Sequence, residues 1–324
     1  MKLRFSSKSR SEKVSKKARK YRWRRWLPVI VALPVLISLG VGGFVGYNYW
    51  EYRTFWGDPN VRPSDVTAFG TVETKTFDPE ALNETMEYEI YLPPGYNDFW
   101  HRFTRYPVVY LLHGRPGTAD DWNSKGGAPD AMDTLLARGQ VQPMIVVMPQ
   151  GSRSRFGPST GYADAAEGNW GTYITQDLVN EIDSNYRTIQ AANGRAIAGN
   201  SEGGYAAMNL GLKNPSEFGV IGSFSGYFTA DEEDKKNLFG GDQNLADANS
   251  PAIYLPQLEG VLPAVYLLIG EDDKRYLDEN SKFAEELKSQ GVSVEFEPAT
   301  GRHSWDLWRG HMSDFLTFAG EHLR

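Results

Sequence analysis

In the run Gly199-Asn200-Ser201-Glu202-Gly203-Gly204 a serine stands between glycines, directly after the apolar stretch Ala196-Ile197-Ala198 and directly before a helix-like stretch. That context calls for a strand, a tight turn and a helix, with the serine on a strained backbone and its Oγ clear of the sheet. The flanking positions must then be small. Gly199 and Gly203, having no Cβ, let helix and neighbouring strands close on the turn. A buried strand feeding a helix in this way belongs in an α/β protein. Apolar or alternating runs elsewhere agree: strands are expected at 67–77, 85–92, 107–113, 144–148, 195–200, 220–225, 264–270 and 292–297, with helical stretches between most of them. This order predicts a mostly parallel central sheet with helices on both faces and antiparallel strands at its start.

An activated serine needs a base, and the base needs an orienting acid. The apolar run 265–270 opens into Glu271-Asp272-Asp273-Lys274, and the alternating run 292–297 is followed by Thr300-Gly301-Arg302-His303-Ser304-Trp305. The chain has five histidines: His101 precedes a strand, His311 and His322 fall in the terminal helical stretch, and His113 belongs to another loop. His303 is therefore the expected base. Asp273 is preferred as acid, ahead of Asp272 and then Glu271. The chain order Ser201, Asp273, His303 is the order of α/β-hydrolases, unlike the two other known orders of this triad.

Acyl transfer also requires donors aimed at the developing oxyanion. One expected donor is the backbone N–H of Glu202, the residue after the serine. The second is expected from the loop after Val108-Val109-Tyr110-Leu111-Leu112, which reads His113-Gly114-Arg115-Pro116-Gly117. The Arg115 N–H is assigned, with that of Gly114 as the alternative.

Four motifs together resemble the esterase D family of α/β-hydrolases over roughly residues 64 to 320: Tyr110 to Gly114, Trp170 to Leu178 ahead of Asn185-Tyr186-Arg187, Ala198 to Gly204, and His303-Ser304-Trp305. The family includes feruloyl and acetylxylan esterases, siderophore esterases, S-formylglutathione hydrolase and secreted mycolyltransferases. The resemblance implies Ser201 as nucleophile, Asp273 as acid, His303 as base, and an oxyanion hole from Arg115 and Glu202. It implies a carboxylic ester hydrolase, and as the alternative an acyltransferase passing the acyl group to a sugar hydroxyl. A non-catalytic cell-surface binding protein is a third reading. Mycolyltransferases carry an acidic residue where this chain has His113, and contain cysteines that this chain lacks. Those departures weigh against mycolyl transfer.

The N-terminus is of a different character. Residues 1–25 hold 12 Lys/Arg and one acid, whereas the remainder holds 22 basic and 40 acidic residues. Residues 26–47 are uncharged, and at about 1.5 Å per residue such a run crosses a hydrocarbon core of about 30 Å. We expect a basic cytoplasmic tail over 1–25, an uncleaved transmembrane signal anchor over 26–50, a linker over 51–63 and the esterase domain over 64–324. The positive-inside rule then places the catalytic domain outside a cell membrane, with secretion after signal-peptide cleavage as the alternative. Membrane lipid is the expected partner of the basic arm, in preference to nucleic acid. The substrate is expected to be a small-molecule or glycan acyl ester.

No cofactor and no metal are expected. The run Asp231-Glu232-Glu233-Asp234 lacks the spacing of a calcium loop and reads as a solvated face. The stretch 226–260 is polar and reads as irregular, either a cap over the site or a surface insertion. His113, Trp170, Tyr227 and Trp305 are the candidate substrate-pocket residues.

Overall fold

The computed structural model describes residues 42–43 and 64–324, and residues 64–324 lie in one compact unit. The expected basic tail, the linker and all of the expected span but residues 42 and 43 lie outside the described residues. Among the described residues no helix is long and apolar enough to cross a membrane.

Eight strands make one sheet: β1 (Thr71–Phe77), β2 (Met86–Leu92), β3 (Val108–Leu112), β4 (Ile145–Pro149), β5 (Arg195–Asn200), β6 (Val220–Phe224), β7 (Ala264–Gly270) and β8 (Val294–Ala299). Their order across the sheet is β1-β2-β4-β3-β5-β6-β7-β8. The β1-β2 and β2-β4 pairs are antiparallel and all other pairs are parallel. All eight expected strands are present. Strands β3 to β6 are buried at every residue, the signature of a sheet covered on both faces, which is why their sequences are near-continuous apolar runs. A two-stranded hairpin, Asp164–Ala165 with Gly168–Asn169, was not anticipated.

Alternation along each strand divides the core. Val108, Tyr110 and Leu112 enter one cluster, together with the helical stretch 170–185 (α2), with α3 (Glu202–Lys213) and with a helix at Leu277–Ser289. Val109 and Leu111 enter the other, with α1 (Ala128–Ala137) and two C-terminal helices at Trp305–Gly310 and Met312–His322. In chain order the longer helices after α3 are α4 (Glu232–Asn237), α5 (Gln243–Ala248), α6 (Leu277–Ser289), α7 (Trp305–Gly310) and α8 (Met312–His322). Helices thus cover both faces, as expected.

Strand ends shifted where a competing bond won. The last strand is two residues later than expected, because the Gly291 and Val292 N–H groups still close the end of α6, donating to the carbonyls of Lys288 and Leu287. At the start of β1 the Gly70 N–H donates to Asp133 Oδ1 in α1 instead of joining the ladder. The stretch 226–260 is also more ordered than its composition implied. Asp231 and Asp242 cap α4 and α5 with their carboxylates, and Leu238, Phe239 and Ala246 form a small apolar cluster with Ala163. Asp231 also pairs with Arg275 at 3.1 Å, so this acidic run is a capped helix start.

Candidate active site

The C-terminal ends of the parallel strands converge on one end of the sheet. Ser201 follows β5 with φ 53° and ψ −119°, a conformation rare for a residue with a side chain. Its N–H donates to the Phe224 carbonyl at 2.9 Å, and its carbonyl accepts the Tyr205 N–H at 3.0 Å, so the turn is held from both sides. The glycines are required by contact. A Cβ on Gly199 would lie 2.4 Å from the Gly203 carbonyl oxygen, and one on Gly203 would lie 2.2 Å from the Leu112 carbonyl oxygen.

Asp273 follows β7 and His303 follows β8. His303 Nε2 lies 2.9 Å from Ser201 Oγ, and His303 Nδ1 lies 2.6 Å from Asp273 Oδ2. A carboxylate facing Nδ1 keeps the ring proton there, which leaves the Nε2 lone pair to accept the serine hydroxyl. Of the three candidate acids only Asp273 meets the histidine; it is buried, whereas Asp272 and Glu271 are exposed and Glu271 accepts a hydrogen bond from Thr300 Oγ1. The His303 side chain is 33% exposed, so the serine-histidine pair stands at a shallow, open surface. Trp308 lies edge-on to the His303 ring at 5.1 Å and donates its indole N–H to Ser225 Oγ. Tyr276 lies 5.9 Å from the ring on another side. Neither residue is legible in the sequence, since an aromatic in or beside a helix carries no sign of what its ring faces.

The loop after β3 distinguishes the two donor candidates. The Gly114 N–H already donates to Asn200 Oδ1 at 3.0 Å, which corrects its place as the alternative donor. The Arg115 N–H makes no hydrogen bond among the described residues, and Glu202 is the first residue of α3, where an N–H has no acceptor within the helix. The Arg115 side chain is exposed and donates from Nε to the Gly157 carbonyl. The Glu202 carboxylate accepts from Ser159 Oγ at 2.6 Å and from the Gly161 N–H at 3.2 Å. Burial raises its pKa, opposed by those donors. It thereby ties the 151–161 loop to the start of α3.

The expected pocket residues fare differently. His113 is buried; its Nε2 accepts the Gly151 N–H at 2.9 Å, so its proton is on Nδ1, which donates to the Gly114 carbonyl at 2.8 Å. Both nitrogens serve the loop architecture, and the pocket assignment is corrected. Trp170 is fully buried in the core with its indole N–H on the Glu167 carbonyl, which likewise corrects its assignment. Trp305 packs edge-on between Trp122 at 5.0 Å and Trp308 at 5.2 Å. Tyr227 stacks on Tyr205 at 4.8 Å and on Tyr276 at 5.6 Å, and so reaches the histidine through Tyr276. Away from this site, Glu297, His311 and Asp314 bring possible metal-ligand atoms within 4.8 Å of one another.

Burial pushes the His113 pKa from 6.5 down to about 4, with the bond to the Gly114 carbonyl opposing the shift. A histidine whose folded pKa is depressed contributes stability fully present above its unfolded pKa and lost as pH falls through the folded one. At about 1.4 kcal/mol per pH unit the loss between pH 6.5 and 4 is about 3 kcal/mol. In urea titrations the advantage of the wild type over His113→Gln is therefore expected to shrink by about that amount between pH 7 and pH 4.

This arrangement of sheet, elbow and serine-histidine-carboxylate contact defines an α/β-hydrolase-like protein. Residues 79–319 match the Esterase family, described as "Putative esterase", and the chain belongs to that family. It is 29% identical over 245 residues to an endo-1,4-beta-xylanase/feruloyl esterase of Xylanibacter ruminicola, covering 74% of this chain and 30% of that protein. It is 26% identical over 229 residues to an acetyl esterase of Caldicellulosiruptor saccharolyticus, covering 64% of this chain and 80% of the relative. The chain thus spans less than a third of the first relative's length. Among solved structures, a ferulic acid esterase superposes with TM-score 0.70 at 27% identity, over 80% of this chain and 100% of that one. Its relatives thus include proteins named as feruloyl and acetyl esterases.

Proposed function

We propose that the chain hydrolyses acyl esters of saccharides or of other small alcohols through a covalent acyl-enzyme on Ser201, in a domain held outside the cell by an N-terminal span. The observation that carries this reading is the unbroken contact from Asp273 through His303 to Ser201, with spacings of 2.6 and 2.9 Å. As Ser201 Oγ attacks the ester carbonyl, His303 Nε2 takes its proton, and the Asp273 carboxylate steadies the imidazolium. The N–H groups of Arg115 and Glu202 hold the oxyanion, a contribution of about 3 kcal/mol per donor in comparable sites. The protonated His303 then passes its proton to the departing alkoxide. Water, activated by the same histidine, releases the acid.

A shallow, open serine suits an ester whose alcohol is a bulky sugar, and the feruloyl and acetyl esterase relatives point to acylated saccharides. The basic residues 1–25 and the uncharged run 26–47 support an anchored domain facing outward. The test is turnover of p-nitrophenyl esters from acetyl to octanoyl, and of methyl ferulate, by the wild type, Asp273→Asn and Asp272→Asn. Asp273→Asn is expected to lose on the order of 10⁴ in kcat, because the amide favours the wrong imidazole tautomer. Asp272→Asn should retain nearly full activity. Equal losses in the two variants would remove Asp273 from the acid role.

A further inference from the structure

The end of the sheet remote from Ser201 carries an exposed aromatic group that the ester chemistry leaves unused. Phe99, Trp100 and Phe103 are 65%, 87% and 82% exposed, all within the connection between β2 and β3. The Arg102 guanidinium lies 3.7 Å from the centre of the Phe99 ring and 4.7 Å from that of Phe103. His101, Arg102 and Arg105 share the segment 93–107, in which Asp98 is the one acid. Three large rings held open to water around a cation are costly to leave exposed in a soluble surface, and a contiguous patch of this kind marks an interaction site.

Strand register fixes where the patch faces. Leu92, Val108 and Arg195 lie at one end of the sheet, whereas Leu112 and Asn200, next to Ser201, lie at the other. Thr71 pairs with Leu92, so the chain enters the domain at the patch end, where Asp65 also pairs with Arg138 at 3.0 Å. From the end of the expected span at residue 50 to the first described residue of the domain, 64, the chain extends at most about 50 Å at roughly 3.5 Å per residue.

We infer that Phe99, Trp100 and Phe103, with Arg102 and Arg105, dock the catalytic domain on the anionic surface of the bilayer that holds the N-terminal span, leaving Ser201 facing away from it. This rests on the proposed span. Aromatic rings with cationic side chains among them fit the headgroup region, where the rings enter about 5–10 Å and the cations meet anionic headgroups. The tether keeps the domain near that surface and raises the effective concentration of the patch there. The acidic excess over residues 26–324, 40 acids against 22 bases, is repelled by anionic lipid and favours an orientation that presents the basic patch.

The chain has no cysteine, so single introduced cysteines report one position each. The full chain would be reconstituted in vesicles of phosphatidylcholine and phosphatidylglycerol in equal parts, with nitroxide-bearing lipid as quencher and a fluorophore at Thr104→Cys, Phe156→Cys or Ser38→Cys. Phe156 is 80% exposed in the loop after β4, at the Ser201 end. Most of the emission should be lost at 104 and at 38, and little at 156; adding Trp100→Ala and Phe103→Ala should restore emission at 104. Loss at 38 with 104 behaving like 156 would overturn the docking while leaving the span in place. Loss at 104 without loss at 38 would support docking and sink the span, and loss at neither would overturn both.

Discussion

Ser201→Ala is expected to lower kcat for p-nitrophenyl acetate by on the order of 10⁶, close to all covalent catalysis. The hydroxyl has no substitute. His303 Nε2 lies 2.9 Å from Ser201 Oγ, and no other serine or threonine hydroxyl among the described residues contacts that nitrogen. The variant should fold as well as the wild type, because Oγ points to an open surface and makes its one hydrogen bond to His303. His303→Gln should fall to a similar level, and the double variant no further, since residues acting as one unit are strongly non-additive. Steady-state rates with a burst measurement of acyl-enzyme decide the matter. A burst surviving in Ser201→Ala would place the nucleophile elsewhere.

Gly203→Ala should damage both stability and activity. The added Cβ would lie 2.2 Å from the Leu112 carbonyl oxygen and 2.7 Å from that of His113, and both are backbone atoms at the end of β3 that cannot rotate aside. The helix α3 must move off the sheet. Overpacking of this kind costs about 1–3 kcal/mol, and here the upper end is expected. Since Ser201 precedes α3 directly, a displacement of about 1 Å would also cost on the order of 10²-fold in rate. Gly310→Ala is the matched control: it lies in a helix, with nothing within 4 Å of its added Cβ, and should leave both quantities unchanged. Thermal unfolding and kcat on the two purified variants test this. Full activity in Gly203→Ala would show that the turn tolerates a side chain.

Both predictions start from a turn that was legible as a pattern of small residues, because a close helix-strand approach leaves its mark at fixed positions in the chain. The acid was less legible. Three carboxylates stand in a row at 271–273, and the choice among them depends on which one turns towards a ring 30 residues later. His113 and Trp170 looked like pocket residues because polar and aromatic side chains near a site read alike whether they face substrate or support the scaffold. The Gly151 N–H that takes up His113 Nε2 comes from 38 residues away.

The sequence by itself determined the eight strands, the burial of the central four on both faces and the elbow with its chain order, since these follow from local periodicity, steric size and succession. Only the tertiary structure decided that Asp273 is the partner of His303, that Asn200 takes up the Gly114 N–H while the Arg115 N–H stays uncommitted, and that three exposed aromatics gather at the end where the chain enters. Each of these is a matter of which groups meet across the sheet. Such meetings are set by strand order and register, which no single stretch of the chain contains.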